Sequence, residues 1–236
     1  MVSMHIHSSW QDTFQKAYAS LTPEFQAYLE KGQYLPKNQQ VFAVFSRPKS
    51  AIKQVLLGES PYPRANSANG YAFWDADVHE LWSSSGLSKA VNRATSLRNF
   101  LKMLLHANGD LQKPFLAKDI ATLPKKHLIQ TLDELFEKMI KEGFLLLNAS
   151  LTWSKDMPVT WHALHWQPFI ELILQDLLEK KPETKILLFG KIAQKFKFLP
   201  QENCIIAEHP YVLTFIENQS VLEYFKPFHL LSASNE

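Results

Sequence analysis

The chain has almost no cysteine: Cys204 is a single residue among 236. One cysteine excludes an internal disulfide framework and fits a reducing compartment. Because Cys204 lies in the strand-like segment NCIIA, we expect it to be a buried, small hydrophobic residue.

Long hydrophobic runs are also missing. No apolar stretch approaches the roughly 20 residues that a membrane-spanning helix needs, and the N-terminal segment MVSMHIHSSWQDTF has no apolar signal-peptide core. Charge of one sign is not in excess either, because 25 Lys and Arg stand against 23 Asp and Glu. This balance neither demands nor excludes nucleic acid, since a local basic rim could still bind phosphate. We expect a cytoplasmic protein that is not bound to a membrane.

What the chain does have is a hydrophobic share of 46%, enough for a substantial core. Apolar segments alternate with segments of helical periodicity. The predicted strands are 52–57, 144–148, 185–189 and 203–207. The predicted helices are 10–33, in which a second segment follows Thr22-Pro23, then 39–46, 96–108 with Asn108-Gly109 as its C-cap signal, 131–142, 166–180, a short one ending at 198, and 218–225. This order predicts a three-layer α/β fold with a central four-stranded parallel sheet and helices on both faces. We expect one domain over 1–236, with an N-terminal helical extension over about 1–50.

Polar or glycine residues mark the carboxyl ends of all four predicted strands: Gly58, Asn148, Gly190 and His209. The carboxyl ends of parallel strands meet at one edge, where open α/β sheets bind their ligands. The first strand leads into the loop GESPYPRANSANGYAFW, in which the aromatic residues Tyr62 and Phe73 could hold a flat ligand. The sequence therefore predicts a binding site at this edge.

Five segments resemble motifs of the uracil-DNA glycosylase family and occur in the family's order. They are GESPYPRANSANGYAF, SLRNFLK, GFLLLNASLTWS, ILLFGKIAQK and EHPYVLTF. The resemblance spans about residues 36 to 230 and implies the family's fold. Each segment alone is a weak signal, whereas five in order are a strong one.

The resemblance implies a pocket for a base that is flipped out of the DNA. Phe73 would stack on the base, and Tyr62 would close the pocket where the methyl group of thymine would sit. Asn148 would bind the uracil edge, because its amide offers both a donor and an acceptor. His209 would donate to the negative charge that develops on uracil O2, which is the largest available stabilisation of the transition state.

The same resemblance implies a DNA-binding surface. Leu213 would fill the gap that the flipped base leaves in the stack. Ser96 and Thr214 would contact DNA phosphates. A cluster of three lysines beyond the third predicted strand is either a solvated face or a further phosphate contact: Lys191, Lys195 and Lys197.

The chain departs from the family pattern at several positions. Ser60 stands where the family has the aspartate that positions water, and Pro63 replaces a histidine of the first motif. Tyr211 and Val212 replace the serine and proline of the histidine loop. General-base help is worth about 10² to 10⁴ in rate, so its loss would slow the reaction without abolishing it. Glu59 is the neighbouring carboxylate that could act instead.

Each of these residues also has a structural interpretation. Asn148 could satisfy a turn, His209 could cap backbone, and Ser96 could be a helix N-cap; Tyr62 and Phe73 could be core residues. The order of the motifs favours the site for Phe73, Asn148 and His209, and leaves the others open. His162 and His165 have a spacing that suits a metal face of a helix, but no further ligand set accompanies them, so we expect no metal site.

Two functions follow from this. The first is a DNA glycosylase that hydrolyses the N-glycosidic bond of uracil or a related base in DNA, with reduced activity if the acid is lost. It would need no metal and no redox cofactor and would act as a monomer. The second is a catalytically inactive paralogue that binds DNA or a protein, which Ser60, Pro63 and Tyr211 favour.

Overall fold

The computed structural model describes residues 6–233. The first five residues of the predicted N-terminal extension and the last three of the predicted domain lie outside this range. The strands are β1 (Gln54–Gly58), β2 (Trp82–Ser83), β3 (Gly86–Leu87), β4 (Phe144–Asn148), β5 (Lys185–Phe189) and β6 (Cys204–Ala207). The helices are α1 (Gln11–Ala19), α2 (Pro23–Lys31), α3 (Lys89–Arg93), α4 (Thr95–Asn108), α5 (Ala117–Ala121), α6 (Leu132–Lys141), α7 (Val159–Lys180) and α8 (Gln219–Phe225).

The predicted fold class is confirmed, because the main strands form a four-stranded parallel sheet in the order β4-β1-β5-β6, flanked by helices. β1 and β4 pair in parallel with Gln54 opposite Phe144 and Gly58 opposite Asn148. Every residue of both strands is buried. This is why their sequences are continuous apolar runs instead of alternating ones.

The chain divides into two compact units. The first contains residues 6–77, Gly143–Leu187 and Leu199–Cys204; the second contains Val78–Glu142, Leu188–Phe198 and residues 205–233. In the first unit, α1 packs on α7, and Phe14 meets Phe169 edge to face with ring centroids 5.4 Å apart. In the second unit, α4 packs on α8 and on a short 3-10 helix, Leu213–Glu217. The prediction of a single domain stays a prediction.

Local sequence signals set several helix ends. Thr22 caps α2 and Gly32 ends it in a left-handed conformation, as the Thr-Pro start predicts. Thr131 and Glu134 form a capping box at the start of α6. Asn218 caps α8 by accepting a hydrogen bond from the Val221 amide. These elements begin where the sequence predicts them.

Other predictions about local structure were wrong. The helix over 39–46 is instead two 3-10 helices, Asn38–Gln40 and Ala43–Ser46. The stretch 75–94, which lies outside every predicted helix and strand, contains the β2–β3 hairpin and α3. α7 begins seven residues before the predicted start and continues through Pro168. Because proline has no amide hydrogen, Pro168 cannot donate the helical hydrogen bond to Leu164 O. Both residues are exposed, so water can bind this carbonyl instead.

Cys204 is half-buried, not buried as predicted. It lies on β6, which is an outer strand of the sheet, and outer strands have a neighbour on one side only. Across residues 6–233, every helix is too short or too polar to cross a bilayer.

Candidate active site

Asn148 ends β4 with its side chain only 2% exposed. Its neighbour across the β1–β4 ladder is Gly58. A Cβ atom at Gly58 would overlap Asn148 Oδ1 and would lie 2.8 Å from the Cβ of Ala72. Because Gly58 has no side chain, it leaves the space that the Asn148 amide occupies. Gly58 therefore contributes to the shape of the site.

The loop after β1 is bound to the end of β4 through the main chain. The Ala149 amide donates to Gly58 O at 2.8 Å, and the Ser150 amide donates to Glu59 O at 3.0 Å. Farther along, the Ala72 amide donates to Leu146 O at 2.9 Å. Both ends of the loop are thus fixed to the strand that carries Asn148.

Tyr62 and Phe73 lie on this loop and contact each other. The Tyr62 hydroxyl donates to Phe73 O at 3.2 Å, and Phe73 has a left-handed backbone with φ of 64°. A phenylalanine in this conformation is strained, and strained backbone of this kind is enriched at active sites and ligand contacts. Burial, followed by the nearby Asp75 carboxylate, raises the pKa of Tyr62, so the phenol stays protonated and keeps its donor. Both side chains are half-buried, as wall residues of a pocket are.

An ion pair closes the loop that carries the two aromatic residues. Arg64 Nη2 lies 2.7 Å from Asp75 Oδ2, and Asp75 is 2% exposed. Arg64 Nε also donates to Ser67 Oγ at 3.0 Å, and the guanidinium lies 5.9 Å from the centre of the Tyr62 ring. Sequence reasoning missed this pair because no local pattern links residues eleven positions apart in a loop.

Glu59 and Ser60 lie at the start of the loop. Glu59 is exposed and Ser60 is half-buried. Ser60 Oγ lies 3.5 Å from Pro61 O, at the limit of a hydrogen bond. The two side chains are neighbours on a turn, and Glu59 is the one that can carry a negative charge.

His209 lies in the second unit, beyond β6, and its ring packs against Gly190. A Cβ at Gly190 would lie 2.8 Å from His209 Cβ and 3.3 Å from His209 Cδ2. The Tyr211 amide donates to His209 Nδ1 at 3.1 Å. Because Nδ1 accepts this bond, the ring proton of the neutral imidazole is on Nε2, which is then a donor.

Asn99 holds the loop that contains His209. This residue of α4 is fully buried, and its Nδ2 donates to Pro210 O at 2.8 Å and lies 3.4 Å from Tyr211 O. Sequence reasoning used the segment SLRN only for its serine. The signal for Asn99 was a polar residue among the buried residues Leu97, Phe100 and Met103 of one amphipathic helix.

Leu213 and Thr214 open the 3-10 helix that follows His209, and both are exposed. Burial by itself would raise the pKa of Glu208. Hydrogen bonds from its own backbone and from Thr214 and Asn218 outweigh burial and hold the pKa of that carboxyl below its ordinary value. Thr214 therefore has an internal partner as well as access to solvent.

Ser96 is not the N-cap of α4. The helix begins at Thr95, and Ala94 occupies the N-cap position without a side-chain hydrogen bond. Ser96 lies in the first turn, one turn before Asn99, and is half-buried. The structure thus removes the capping interpretation of Ser96 and leaves its predicted contact with phosphate untested.

His162 is fully buried and structural. Ser154 N donates to its Nε2 at 3.1 Å, and its Nδ1 lies 3.1 Å from Thr152 Oγ1. Burial, with a smaller effect of His165, lowers the pKa of His162 to about 4, so the ring is neutral. Within the described part of the chain no group of three His, Cys, Asp or Glu residues could hold a metal ion.

The structure thus arranges the predicted residues in two groups. The first unit holds Glu59, Ser60, Tyr62, Phe73 and Asn148 around the carboxyl ends of β1 and β4. The second unit holds Ser96, His209, Leu213 and Thr214, the last three of which share one loop. The first group contains residues predicted for base recognition and water activation, and the second contains the predicted donor His209 and the residues predicted to contact DNA.

Comparison with known proteins gives a consistent result. No protein-family model matches the chain. A uracil-DNA glycosylase from Azobacteroides pseudotrichonymphae is 25% identical over 235 residues, covering 96% of this chain and 92% of the relative. A uracil-DNA glycosylase from Helicobacter pylori is 31% identical over 183 residues, covering 74% of this chain and 67% of the relative. The crystal structure of wild-type UNG from Nitratifractor salsuginis superposes with a TM-score of 0.90 at 36% identity, covering 97% of this chain and 93% of that one.

Proposed function

The chain belongs to the uracil-DNA glycosylase family, and we propose that it removes uracil from DNA by hydrolysing the N-glycosidic bond. One observation of the structure carries this proposal: Asn148 is buried at the end of β4, with its amide in the space that Gly58 leaves open. An amide fixed in this way can read the edge of a single pyrimidine. The relatives' function does not favour the alternative of a paralogue that only binds.

Recognition of the base falls to three residues of the first unit. Asn148 hydrogen-bonds the uracil edge and Phe73 stacks on the ring. Tyr62 occupies the space that a thymine methyl group would need. Its hydrogen bond to Phe73 O fixes the position of the Tyr62 ring relative to Phe73. The exclusion is steric, which is why a rigid Tyr62 suits it.

Stabilisation of the transition state falls to His209. Cleavage leaves negative charge on the base, and the Nε2 proton of a neutral imidazole can donate to O2. Removing one donor of this kind costs about 10² to 10³ in kcat. The hydrogen bond from the Tyr211 amide to Nδ1 fixes the tautomer that this role needs.

Water activation differs from the pattern that the family's first motif implies. Ser60 cannot be an anion, and Glu59 is the carboxylate of this loop. We assign Glu59 as the general base and expect a rate below that of an enzyme with aspartate at position 60, because general-base help is worth about 10² to 10⁴. Ser60→Asp should raise the rate if this acid alone is missing. Glu59→Gln should lower it.

Contacts with DNA fall to the exposed loop of the second unit and to the start of α4. Leu213 fills the space of the flipped base, and Ser96 and Thr214 contact phosphates. Binding that depends on phosphate contacts weakens with added salt, because counterions are released on binding. Salt-independent binding would contradict this assignment.

The experiment is a multiple-turnover assay for free uracil with a single-stranded oligonucleotide that contains uracil. The wild-type protein should release uracil well above the background, and Asn148→Ala and His209→Ala should each lose about 10² or more. Leu164→Ala is the control, since Leu164 is exposed on α7 and has no assigned role. No release at high protein concentration would refute the proposal.

We also propose a single glycosylase domain over 1–236 that acts as a monomer in the cytoplasm. One cooperative unfolding transition and a molar mass near 27.2 kDa by light scattering would support the domain and the monomer. Two separate transitions or a dimer mass would contradict them.

A further inference from the structure

Three consecutive large side chains are exposed just beyond His209. Tyr211 is 67% exposed, Val212 42% and Leu213 67%. Single exposed hydrophobic residues are ordinary, whereas a contiguous exposed patch marks a binding surface. The resemblance to the uracil-DNA glycosylase family accounts for Leu213, but the family's histidine loop has a serine where this chain has Tyr211.

The backbone beneath Tyr211 is fixed on both sides. Its amide donates to His209 Nδ1 at 3.1 Å, and the Val212 amide donates to His209 O at 3.0 Å. The buried Asn99 amide donates to Pro210 O at 2.8 Å. The ring is therefore presented to solvent by an ordered turn and is not exposed because its loop is loose.

The next turn anchors the loop in the core of the same unit. Phe215 is fully buried, and its ring centroid lies 5.0 Å from that of Phe189. A residue on such an anchored turn loses little conformational freedom when it binds.

An exposed lysine follows the glycine against which His209 packs. Gly190 packs against His209, and the next residue in the chain, Lys191, is exposed. Exposed aromatic rings and cations are the side chains that bind single-stranded nucleic acid, because the ring stacks on a base and the cation pairs with phosphate.

We propose that Tyr211 is a stacking platform for an unpaired base next to the flipped nucleotide, and that it strengthens the binding of single-stranded DNA by this chain. The inference rests on the proposed function. In a duplex, both faces of each paired base are covered by neighbouring bases, and Leu213 fills the gap that the flipped base leaves, so the ring has no free face to stack on. In a single strand the face is available. Tyr211 therefore improves binding of single strands and leaves duplex binding unchanged.

The experiment measures affinity by fluorescence anisotropy with labelled, uracil-free probes: oligodeoxythymidine and a duplex of the same length. Tyr211→Ser should weaken binding of the single strand about tenfold, as the loss of one base stack predicts, and change duplex binding less than about twofold. Tyr211→Phe keeps the ring and should bind like the wild type. Tyr211→Leu keeps apolar bulk without a flat face and should behave like Tyr211→Ser.

The control is Leu164→Ser, which removes an equally exposed apolar side chain from α7 and should leave both affinities unchanged. Equal losses on single strand and duplex would overturn the inference. So would unchanged single-strand affinity in Tyr211→Ser, or a loss in Tyr211→Phe as large as in Tyr211→Ser, because that would assign the effect to the hydroxyl.

Failure of this inference is distinguishable from failure of the proposed function. Because the probes contain no uracil, their binding does not depend on hydrolysis. A protein that releases no uracil but shows the Tyr211-dependent preference supports the stacking platform and refutes the glycosylase. A protein that releases uracil but binds single strands equally well without Tyr211 overturns the platform alone.

Discussion

Gly190→Ala tests whether the glycine at the end of β5 positions His209. Gly190 has φ of +76°, and an added Cβ would lie 2.8 Å from His209 Cβ. Real Cβ atoms do not approach other carbons this closely, so the His209 loop must move. The substitution thus displaces the proposed donor to uracil O2 without changing any residue of the pocket.

The matched control is Gly109→Ala. Gly109 has φ of +88° and nothing within 4 Å of the added Cβ. Both variants place alanine in the left-handed region, which costs about 1–2 kcal/mol of stability. Only Gly190→Ala also moves the proposed donor His209, and a displacement of about 1 Å in a site can cost roughly 10²-fold in rate.

Urea unfolding and single-turnover uracil release separate the two effects. Gly190→Ala should lose at least as much stability as Gly109→Ala, because it adds the contact with His209 to the same backbone strain. The single-turnover rate should fall about 10²-fold in Gly190→Ala and stay within about twofold in Gly109→Ala. Equal activity in the two variants would refute the reasoning, because it would mean that the contact with Gly190 does not set the position of His209.

Three further predictions concern the first unit. Gly58→Ala should lower kcat/KM for uracil release about 10- to 100-fold, because the added Cβ overlaps Asn148 Oδ1. Asp75→Ala should destabilise the protein by about 1–3 kcal/mol in urea unfolding and should speed trypsin cleavage after Arg64, because it removes the ion pair that closes the pocket loop. The pKa of His162 is about 4 in the folded protein against an ordinary 6.5, so the unfolded chain binds more protons between these values. The free energy of unfolding should therefore have its maximum value above pH 6.5 and fall by up to about 3 kcal/mol toward pH 4. His162→Gln should remove most of this dependence on pH.

Each of these has an outcome that would contradict it. Unchanged kcat/KM in Gly58→Ala would mean that the Asn148 amide does not need this space. A trypsin rate equal to that of the wild type would show that the ion pair does not order the loop. For the pH profile, His79→Gln is the control, since His79 is exposed; a variant at His162 that keeps the full pH dependence would contradict the assignment.

The sequence could predict the parts of the fold that depend on neighbouring residues. β1 and β4 are buried on both faces, so their apolar runs were visible, and the Thr-Pro and Asn-Gly signals marked helix ends. Start and end positions were less accurate. α7 was predicted to begin at 166, whereas it begins at Val159 and contains Pro168 in its interior.

The candidate site could be predicted as a list of residues but not as an arrangement. Phe73, Asn148 and His209 came from motif order, and the structure adds what holds each of them. Gly190 contacts His209, which lies nineteen positions farther along the chain. Asn99, on α4, donates a hydrogen bond to Pro210 O in the loop that contains His209. Such contacts depend on the folded chain, so composition and periodicity cannot reveal them. Ser96 is an example of a local signal that misleads. The sequence allowed it to be the N-cap of α4, whereas Ala94 occupies that position.

The most direct test of the central claim is mass spectrometry of a single-stranded oligonucleotide with one uracil after incubation with catalytic amounts of the protein. The account predicts an abasic product and an equal amount of free uracil, many times in excess of the protein, with about 10²-fold less product or even less in Asn148→Ala over the same time. An intact oligonucleotide after prolonged incubation, at protein concentrations that saturate it, would contradict the account.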